Sequence, residues 1–304
     1  MPEPVKLEET IKAAIPATAI IADTLSLIER AHEAYKGHGL AGIPTGFKYF
    51  DRIMGGLQTG LHIVAAEPGA GKTAFALNAA RHASRLGFPV VYASFDETPE
   101  RLLLKTVTAQ EDLCASDFSN GEHTPEEFAQ AAANYGHEHL KRLSFVSADS
   151  MMSARELAHQ LEDHILQSDV DRGLLIVDYL QPWAATLSAK AGIDYRMAIG
   201  QAAQRLRELA NKLNIPVLMI SAQNRSGQGT DRMTSLRESS DLEYSADSIS
   251  LLTNVSDEDK TFVGSGWYAR NLHIAKNRFG EKDTTIRVRL NGKTQKLEEV
   301  PNGE

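Results

Sequence analysis

The run AEPGAGKT, residues 66–73, brings together the parts of a phosphate-binding turn: paired glycines, a lysine and a hydroxyl, in that order. Backbone N–H groups of such a turn converge on phosphate oxygens, and a helix starting at its end adds a favourable dipole. Pro68, Gly69, Ala70, Gly71, Lys72, Thr73 and Ala74 are therefore the candidate nucleotide-binding residues. Lys72 is placed to reach the β- and γ-phosphates of a nucleoside triphosphate such as ATP, and the Thr73 hydroxyl to ligate Mg²⁺. The usual pattern opens on glycine, and here it opens on Ala66; Gly69 and Gly71 still keep the backbone bare where phosphate must approach.

Four further sets of residues carry chemistry. Asp178 closes the apolar run LLIV, where a carboxylate is costly to bury without a partner. Downstream of a phosphate turn that position suits a ligand to Mg²⁺ through water, although strand-end aspartates also cap turns. Asp96 and Glu97 in SFDETPERL follow another apolar stretch, and one of the pair could orient and deprotonate an attacking water; either could instead cap the helix that opens at Pro99. Lys276 and Arg278 in HIAKNRFGE alternate onto one face at a strand end, and Arg225, Arg232, Arg237 and Glu238 fall in a polar loop region after SAQNRS. Solvated edges and ordinary loops have the same look.

These groups need a scaffold that brings strand ends together. From Ile43 onward, strand-like and helix-like segments alternate, the signature of a parallel sheet with crossover helices. The expected strands are 61–66, 89–95, the RLSFVS segment, 173–180 and 215–221, and the expected helices 73–85, Pro99 to about Cys114, Ser153 to about Gln167, and 195–213. Thr124 and Glu127 make a capping box within a solvated helical excursion over 115–140, and a loop rich in Ala and Gly follows the strand at 173–180. NLHIAK, TTIRVRL and KTQKLEE are short alternating segments, with Asn291-Gly292 signalling a two-residue hairpin, so the sheet should finish antiparallel. Residues 1–42 form an arm with one short amphipathic helix around 23–36, capped by Ser26 and Glu29 and stopped by GHG at 37–39; residues 43–304 form the α/β domain.

Composition bounds the function. With 32 basic and 40 acidic side chains the chain carries a net charge of −8, so it lacks the overall basic field of a protein that coats nucleic acid or anionic membrane, and any such contact must be local. The single cysteine, Cys114, excludes an internal disulfide or a multi-cysteine zinc site. No run approaches the ~20 apolar residues that span a bilayer, which leads to the expectation of a soluble, cytoplasmic protein without membrane partners.

Taken together the motifs resemble the C-terminal ATPase domain of the DnaB-family replicative helicases, within the RecA-like ATPases, from about Gly42 to Glu298. GIPTGFKYFDRIMGGLQTG is similar to that family's entry segment, AEPGAGKT to its Walker A motif, LLIVDYLQ to its Walker B strand, LRESSDLEYSAD to a stretch of its central-channel region, and AKNRFG to its arginine-finger motif. The resemblance implies a RecA-like P-loop NTPase that assembles as a hexamer, translocates on single-stranded DNA, unwinds duplex DNA and uses ATP with Mg²⁺. It further implies that Lys276 and Arg278 reach a neighbouring subunit's site, and that Arg225, Arg237, Glu238 and the backbone of Ser240, where the family has glycine, touch single-stranded DNA. The family's catalytic glutamate falls on Asp96, with Glu97 beside it, and its γ-phosphate-sensing glutamine position holds Ala222, with Gln223 one place later. The family's extra helical domain, which recruits primase, has no counterpart in the arm; primase binding by that route is not expected, whereas a helicase loader is. FDETPERL is closer to RecA-like ATPases with regulatory, recombination or assembly roles, and a chain of that kind would hydrolyse ATP without unwinding.

Overall fold

The computed structural model describes residues 14–148, 152–222, 240–255 and 266–300. The chain divides into two compact units, Met1–Ala41 and Gly42–Glu304. In the first, a turn of 3₁₀ helix (Ala17–Ile20) leads into α1 (Ile21–His38). Gly39 ends α1 in the left-handed region at φ 79°, its N–H bonded to Tyr35 O, a conformation that suits glycine. The start differs from expectation: Ile20 is the N-cap, so Ser26 and Glu29 lie inside the helix and form no capping box. A cap residue must leave helical geometry, and here the preceding turn continues it.

The second unit opens with α2 (Lys48–Met54), then alternates β1 (Gly60–Ala66), α3 (Lys72–Arg85), β2 (Val90–Ser94) and α4 (Pro99–Gln110). Helices α5 (Ala115–Ser119), α6 (Pro125–Tyr135) and α7 (His137–Leu140) form the expected excursion, with the Thr124–Glu127 capping box in place. The chain continues through β3 (Leu143–Ser147), α8 (Ala154–Leu166), β4 (Leu174–Asp178), α9 (Leu180–Ala191), α10 (Tyr195–Leu213) and β5 (Pro216–Ala222). After α11 (Ser240–Ser245) come β6 (Ser248–Asn254), β7 (Trp267–Asn277), β8 (Thr284–Asn291) and β9 (Leu297–Glu299).

Nine strands form one sheet in the order β3-β2-β4-β5-β1-β6-β7-β8-β9. Pairings from β3 through β6 are parallel, and those of β6–β7, β7–β8 and β8–β9 antiparallel. This is the mostly parallel α/β fold with antiparallel C-terminal strands that the sequence pattern called for. Strands β1, β2 and β4 are buried along their whole length, which requires cover on both faces. One cover is α2 and α3, where Phe47 stacks on Phe75 at 4.8 Å between ring centroids and Phe50 meets it edge-on at 5.6 Å. The other is built from Leu157 and Leu161 of α8, Trp183 of α9 and Leu206 of α10.

Three local readings are corrected. The segment read as an Ala- and Gly-rich loop is α9, because burial of Leu180, Trp183 and Ala184 outweighs its weak pattern. Helix α4 stops at Gln110, and Cys114 instead occupies the N-cap position of α5. Asn291-Gly292 opens a longer turn rather than a two-residue hairpin: Leu290 pairs with Leu297, Asn291 N donates to Lys296 O at 2.8 Å, and Asn291 Oδ1 accepts from the N–H groups of Lys293 and Thr294. Strand β6 and helix α11 carry no signal strong enough to have been expected. Among the described residues no helix is long and apolar enough to cross a membrane.

Candidate functional site

Parallel strands deliver their carboxyl ends to one edge, and a ligand in an open α/β sheet sits outside that edge. Strand β1 stops at Ala66, β2 at Ser94, β4 at Asp178 and β5 at Ala222, so the phosphate turn, the acid pair and Asp178 all come to that edge. Gly71 is the N-cap of α3, at φ 105° and with no side-chain cap, which leaves the opening N–H groups of the helix for a ligand. A Cβ at Gly71 would be strained at that φ and would lie 3.2 Å from Leu290 Cδ2. Ala70 N is spent inside the turn on Glu67 O at 3.0 Å, and the Ala70 side chain is buried, so its part in the cradle is to shape it. Pro68 and Gly69 are exposed at the lip, and Ala74 is buried under the first turn of α3.

Thr73 and Asp178, distant in sequence, meet here: Thr73 Oγ1 donates to Asp178 Oδ2 at 3.0 Å. Tyr92 of β2 donates its hydroxyl to the same oxygen at 2.7 Å. Lys72 Nζ lies 3.9 Å from the centroid of the Tyr179 ring, and its charge acts on Asp178. Burial pushes the Asp178 carboxyl above its ordinary range, opposed by the Tyr92 hydrogen bond, the Lys72 charge and the Thr73 hydrogen bond. Asp178 Oδ1 is buried and has no hydrogen-bond partner among the described residues. An orphaned carboxylate oxygen beside a threonine hydroxyl is an all-oxygen set of the kind Mg²⁺ takes, so the residues present fit that ion. Among the described residues no group of three or more His, Cys, Asp or Glu is placed to hold a metal unaided, and such an ion would complete its shell from phosphate oxygens and water.

The two acids after β2 separate. Glu97 is held by Lys105 of α4 at 2.7 and 2.6 Å, and its charge bears on both Asp178 and Tyr92. Asp96 is exposed, and its carboxylate accepts no hydrogen bond from the described residues. The Ser94 hydroxyl accepts from Glu97 N at 2.9 Å and so fixes the turn that carries both.

Lys276 and Arg278 lie elsewhere. Strand β7 runs antiparallel to β6, so its last residue, Asn277, pairs with Ser248 at the start of β6, on the edge opposite the phosphate turn. Leu61 N, at the start of β1, donates to Asp247 Oδ2, and Arg278 Nη1 donates to Asp247 Oδ1. Ala66 lies five residues further along β1, roughly 17 Å of strand from Leu61. Lys276 Nζ donates to Glu243 O of α11. Gln223, Arg225, Arg237 and Glu238 lie outside the described residues, as does Arg232; Ser240 opens α11, and its side chain is not described.

Sequence reasoning passed over several residues of this region. Tyr92 is the one aromatic side chain in VVYAS, and its position facing a carboxylate on the neighbouring strand depends on register: Ser94 pairs with Asp178, which places Tyr92 two residues back on the same face. Gln181, inside LLIVDYLQ, donates from Nε2 to Ser221 Oγ at 3.0 Å and accepts from Ala222 N at 3.3 Å, tying α9 to the end of β5. Arg270 of β7 donates to Ala70 O at 3.3 Å and Gly69 O at 3.4 Å, bracing the phosphate turn from outside.

The family model for the DnaB-like helicase C terminal domain matches residues 42–299. The replicative DNA helicase DnaB of Geobacillus stearothermophilus is 29% identical over 276 residues, which cover 87% of this chain and 58% of that protein. The replicative DNA helicase DnaB of Rhodothermus marinus is 31% identical over 246 residues, 75% of this chain and 24% of that protein. The chain thus spans little more than half the length of the first relative and about a quarter of the second. Among solved structures, an ATPase domain overlays with a TM-score of 0.76 at 22% identity, covering 92% of this chain and 99% of that one. A DnaB-like replicative helicase, described with its interactions with primase, overlays with a TM-score of 0.74 at 22% identity, covering 95% and 68%. At that identity these two likenesses bear on the fold.

Proposed function

The chain belongs to the family of DnaB-like helicase C-terminal domains, and from that premise we propose that it is an ATP-dependent motor that assembles as a ring, translocates on single-stranded DNA and unwinds duplex DNA. The observation that carries the ATPase part is the meeting of Thr73 with Asp178 beside Lys72, a phosphate cradle and a Mg²⁺ locus assembled at one sheet edge.

Within this reading, the N–H groups at the start of α3 and the Lys72 ammonium bind the β- and γ-phosphates, offsetting charge that backbone dipoles alone leave unbalanced. Thr73 and Asp178 hold Mg²⁺, which when bound neutralises charge developing on the phosphate oxygens. Asp96, unencumbered and at the lip, orients the attacking water and takes its proton. Glu97, locked to Lys105, is the second candidate for that role. Arg278, a strand length from its own cradle, serves the cradle of an adjacent subunit, with Lys276 as a second cation. Gln223, which follows Ala222 in the chain, senses the γ-phosphate. Arg225, Arg237, Glu238 and the Ser240 backbone grip single-stranded DNA. A few such phosphate contacts suffice for a ring that encloses its strand, so the net charge of −8 is compatible with DNA as partner. A loader protein is a further partner in this scheme; no primase contact is assigned to residues 1–42.

ATP hydrolysis measured with and without single-stranded DNA, beside displacement of a labelled strand from a forked duplex, tests the proposal. Stimulated hydrolysis with displacement is the expected result. Slow hydrolysis indifferent to DNA, without displacement, would instead assign the chain a regulatory, recombination or assembly role.

A further inference from the structure

Arg278 does not wave free at the sheet edge. Asp247, in the turn between α11 and β6, addresses it twice: Arg278 Nη1 donates to Asp247 Oδ1 at 2.9 Å, and Arg278 N donates to Asp247 O at 3.0 Å. The Asp247 carboxylate is itself immobilised. Its Oδ2 accepts from Leu61 N at 2.9 Å, its Oδ1 accepts also from Arg207 Nη2 of α10 at 3.1 Å, and Asp247 N donates to Leu61 O at 2.8 Å. The Asp247 side chain is 10% exposed and that of Arg278 43%, so the anchor is buried and the anchored group faces outward.

The sequence is arranged to admit this carboxylate. Gly60 sits at φ 139°, and a Cβ there would come within 2.5 Å of Asp247 Oδ2, so any other residue would both strain the backbone and displace the carboxylate. An isolated surface ion pair needs no such provision.

A guanidinium has five N–H donors in a rigid fork, and an unrestrained arginine side chain samples many rotamers. Anchoring Nη1 on Asp247, with Nη2 donating to Tyr244 O at 3.5 Å, reduces the conformations Arg278 samples and leaves the remaining N–H groups of the fork for a phosphate oxygen. Preorganised donors of this kind act without reorganisation at the moment of reaction.

We infer that Asp247 is a positioning residue: it aims Arg278 from one subunit into the phosphate site of the next. The inference rests on the trans role proposed above for Arg278. Three variants of the full chain test it: Asp247→Asn, Arg278→Ala and Lys72→Ala. Asn at 247 is isosteric and can still accept from Leu61 N, so nucleotide binding and assembly should be retained while kcat falls ~10- to 100-fold with little change in KM.

Mixing then locates the defect. Asp247→Asn mixed with Lys72→Ala should regain activity, because hybrid interfaces pair an intact cradle with an intact finger. Asp247→Asn mixed with Arg278→Ala should not, because both are damaged on the finger side. A merely structural lesion in β1 would give the reverse pattern and overturn the inference, as would a wild-type rate for Asp247→Asn alone. Arg278→Ala mixed with Lys72→Ala is the control. No recovery there, with subunit exchange demonstrated, defeats the trans role and this inference with it; recovery there, but none for Asp247→Asn with Lys72→Ala, overturns this inference alone. If circular dichroism shows Asp247→Asn to be unfolded, Arg278→Lys replaces it. Lysine keeps the charge but cannot hold Asp247 and a phosphate with separate nitrogens, so turnover should drop as in Arg278→Ala. Turnover within about threefold of wild type would overturn the inference, since the fork would then be dispensable.

Discussion

Thr73 Oγ1 and Asp178 Oδ2 are joined by a 3.0 Å hydrogen bond although 105 positions separate them in the chain. One residue opens α3 and the other ends β4, and the sheet order sets β4 two places from β1, with β5 between them. The phosphate turn and the carboxylate therefore share an edge without being neighbours on it.

Removing the ammonium of Lys72 should abolish turnover. Backbone N–H groups would still meet phosphate, but without a cation the β- and γ-phosphate charge is not offset. Equilibrium binding of a fluorescent ATP analogue and steady-state hydrolysis by Lys72→Ala are the measurements; activity near wild type would mean that residues 66–73 are not the nucleotide site.

Asp96→Asn should reduce kcat more than Glu97→Gln, by about 10²-fold or more, if Asp96 is the base as proposed, because only the former then removes the carboxylate that meets the attacking water. Glu97→Gln should cost less in turnover and act through Lys105, which loses the partner it holds at 2.6 Å. The reverse ranking, with nucleotide binding intact in both, would transfer the base role to Glu97.

Tyr92→Phe should raise the Mg²⁺ concentration for half-maximal hydrolysis, more at pH 6 than at pH 8. The Tyr92 hydrogen bond lowers the Asp178 carboxyl against the upward push of burial. Without it the folded-state value climbs further, and the ionised form that binds a cation becomes scarcer as pH falls. Stability should drop by about 1.5–3 kcal/mol, the usual worth of a hydrogen bond to a charged group. Titrations of Mg²⁺ at the two pH values check this; identical midpoints for the variant and wild type would detach Tyr92 from the metal locus.

Arg237→Ala should weaken single-stranded DNA binding, flatten its salt dependence by about one unit in the logarithmic slope, and spare hydrolysis measured without DNA. Fluorescence anisotropy across a salt series reports both quantities. Unchanged affinity at moderate salt would remove Arg237 from the DNA contact.

Stability of the wild type should fall as pH rises from about 4 to about 6, and Asp51→Asn should abolish that fall. Burial raises the Asp51 carboxyl from 3.8 to about 6 despite hydrogen bonds from Thr45 and Gly46. Between those values the folded state binds the proton and the unfolded state does not, so ionisation progressively disfavours the fold, by on the order of 3 kcal/mol in all. Thermal melts of both proteins across this range decide it; parallel curves would assign the pH dependence to another group.

Apart from β6, the sheet strands, the phosphate turn and the helix after it were legible because each is a local pattern. An apolar run flanked by turn residues, such as LLIV, has the look of a strand buried on two faces, and GAGKT after one such run marks a strand-to-helix turn. Helix α9 was not, since burial of Trp183 against the second core decides its conformation more than its own composition does. The length of the turn after Asn291 escaped for a similar reason: register between β8 and β9 is set by pairing Leu290 with Leu297, not by the dipeptide.

By itself, then, the order of residues determined which groups could do chemistry and that strands would carry several of them to one edge. Tertiary structure decided which of those groups meet. Strand register put the Tyr92 hydroxyl on Asp178, and packing of α4 paired Lys105 with Glu97 and left Asp96 open. The antiparallel return of β7 carried Arg278 to the opposite edge and onto Asp247. Each outcome depends on contacts between residues far apart in the chain, and no local propensity encodes a distance between two strands that are not consecutive.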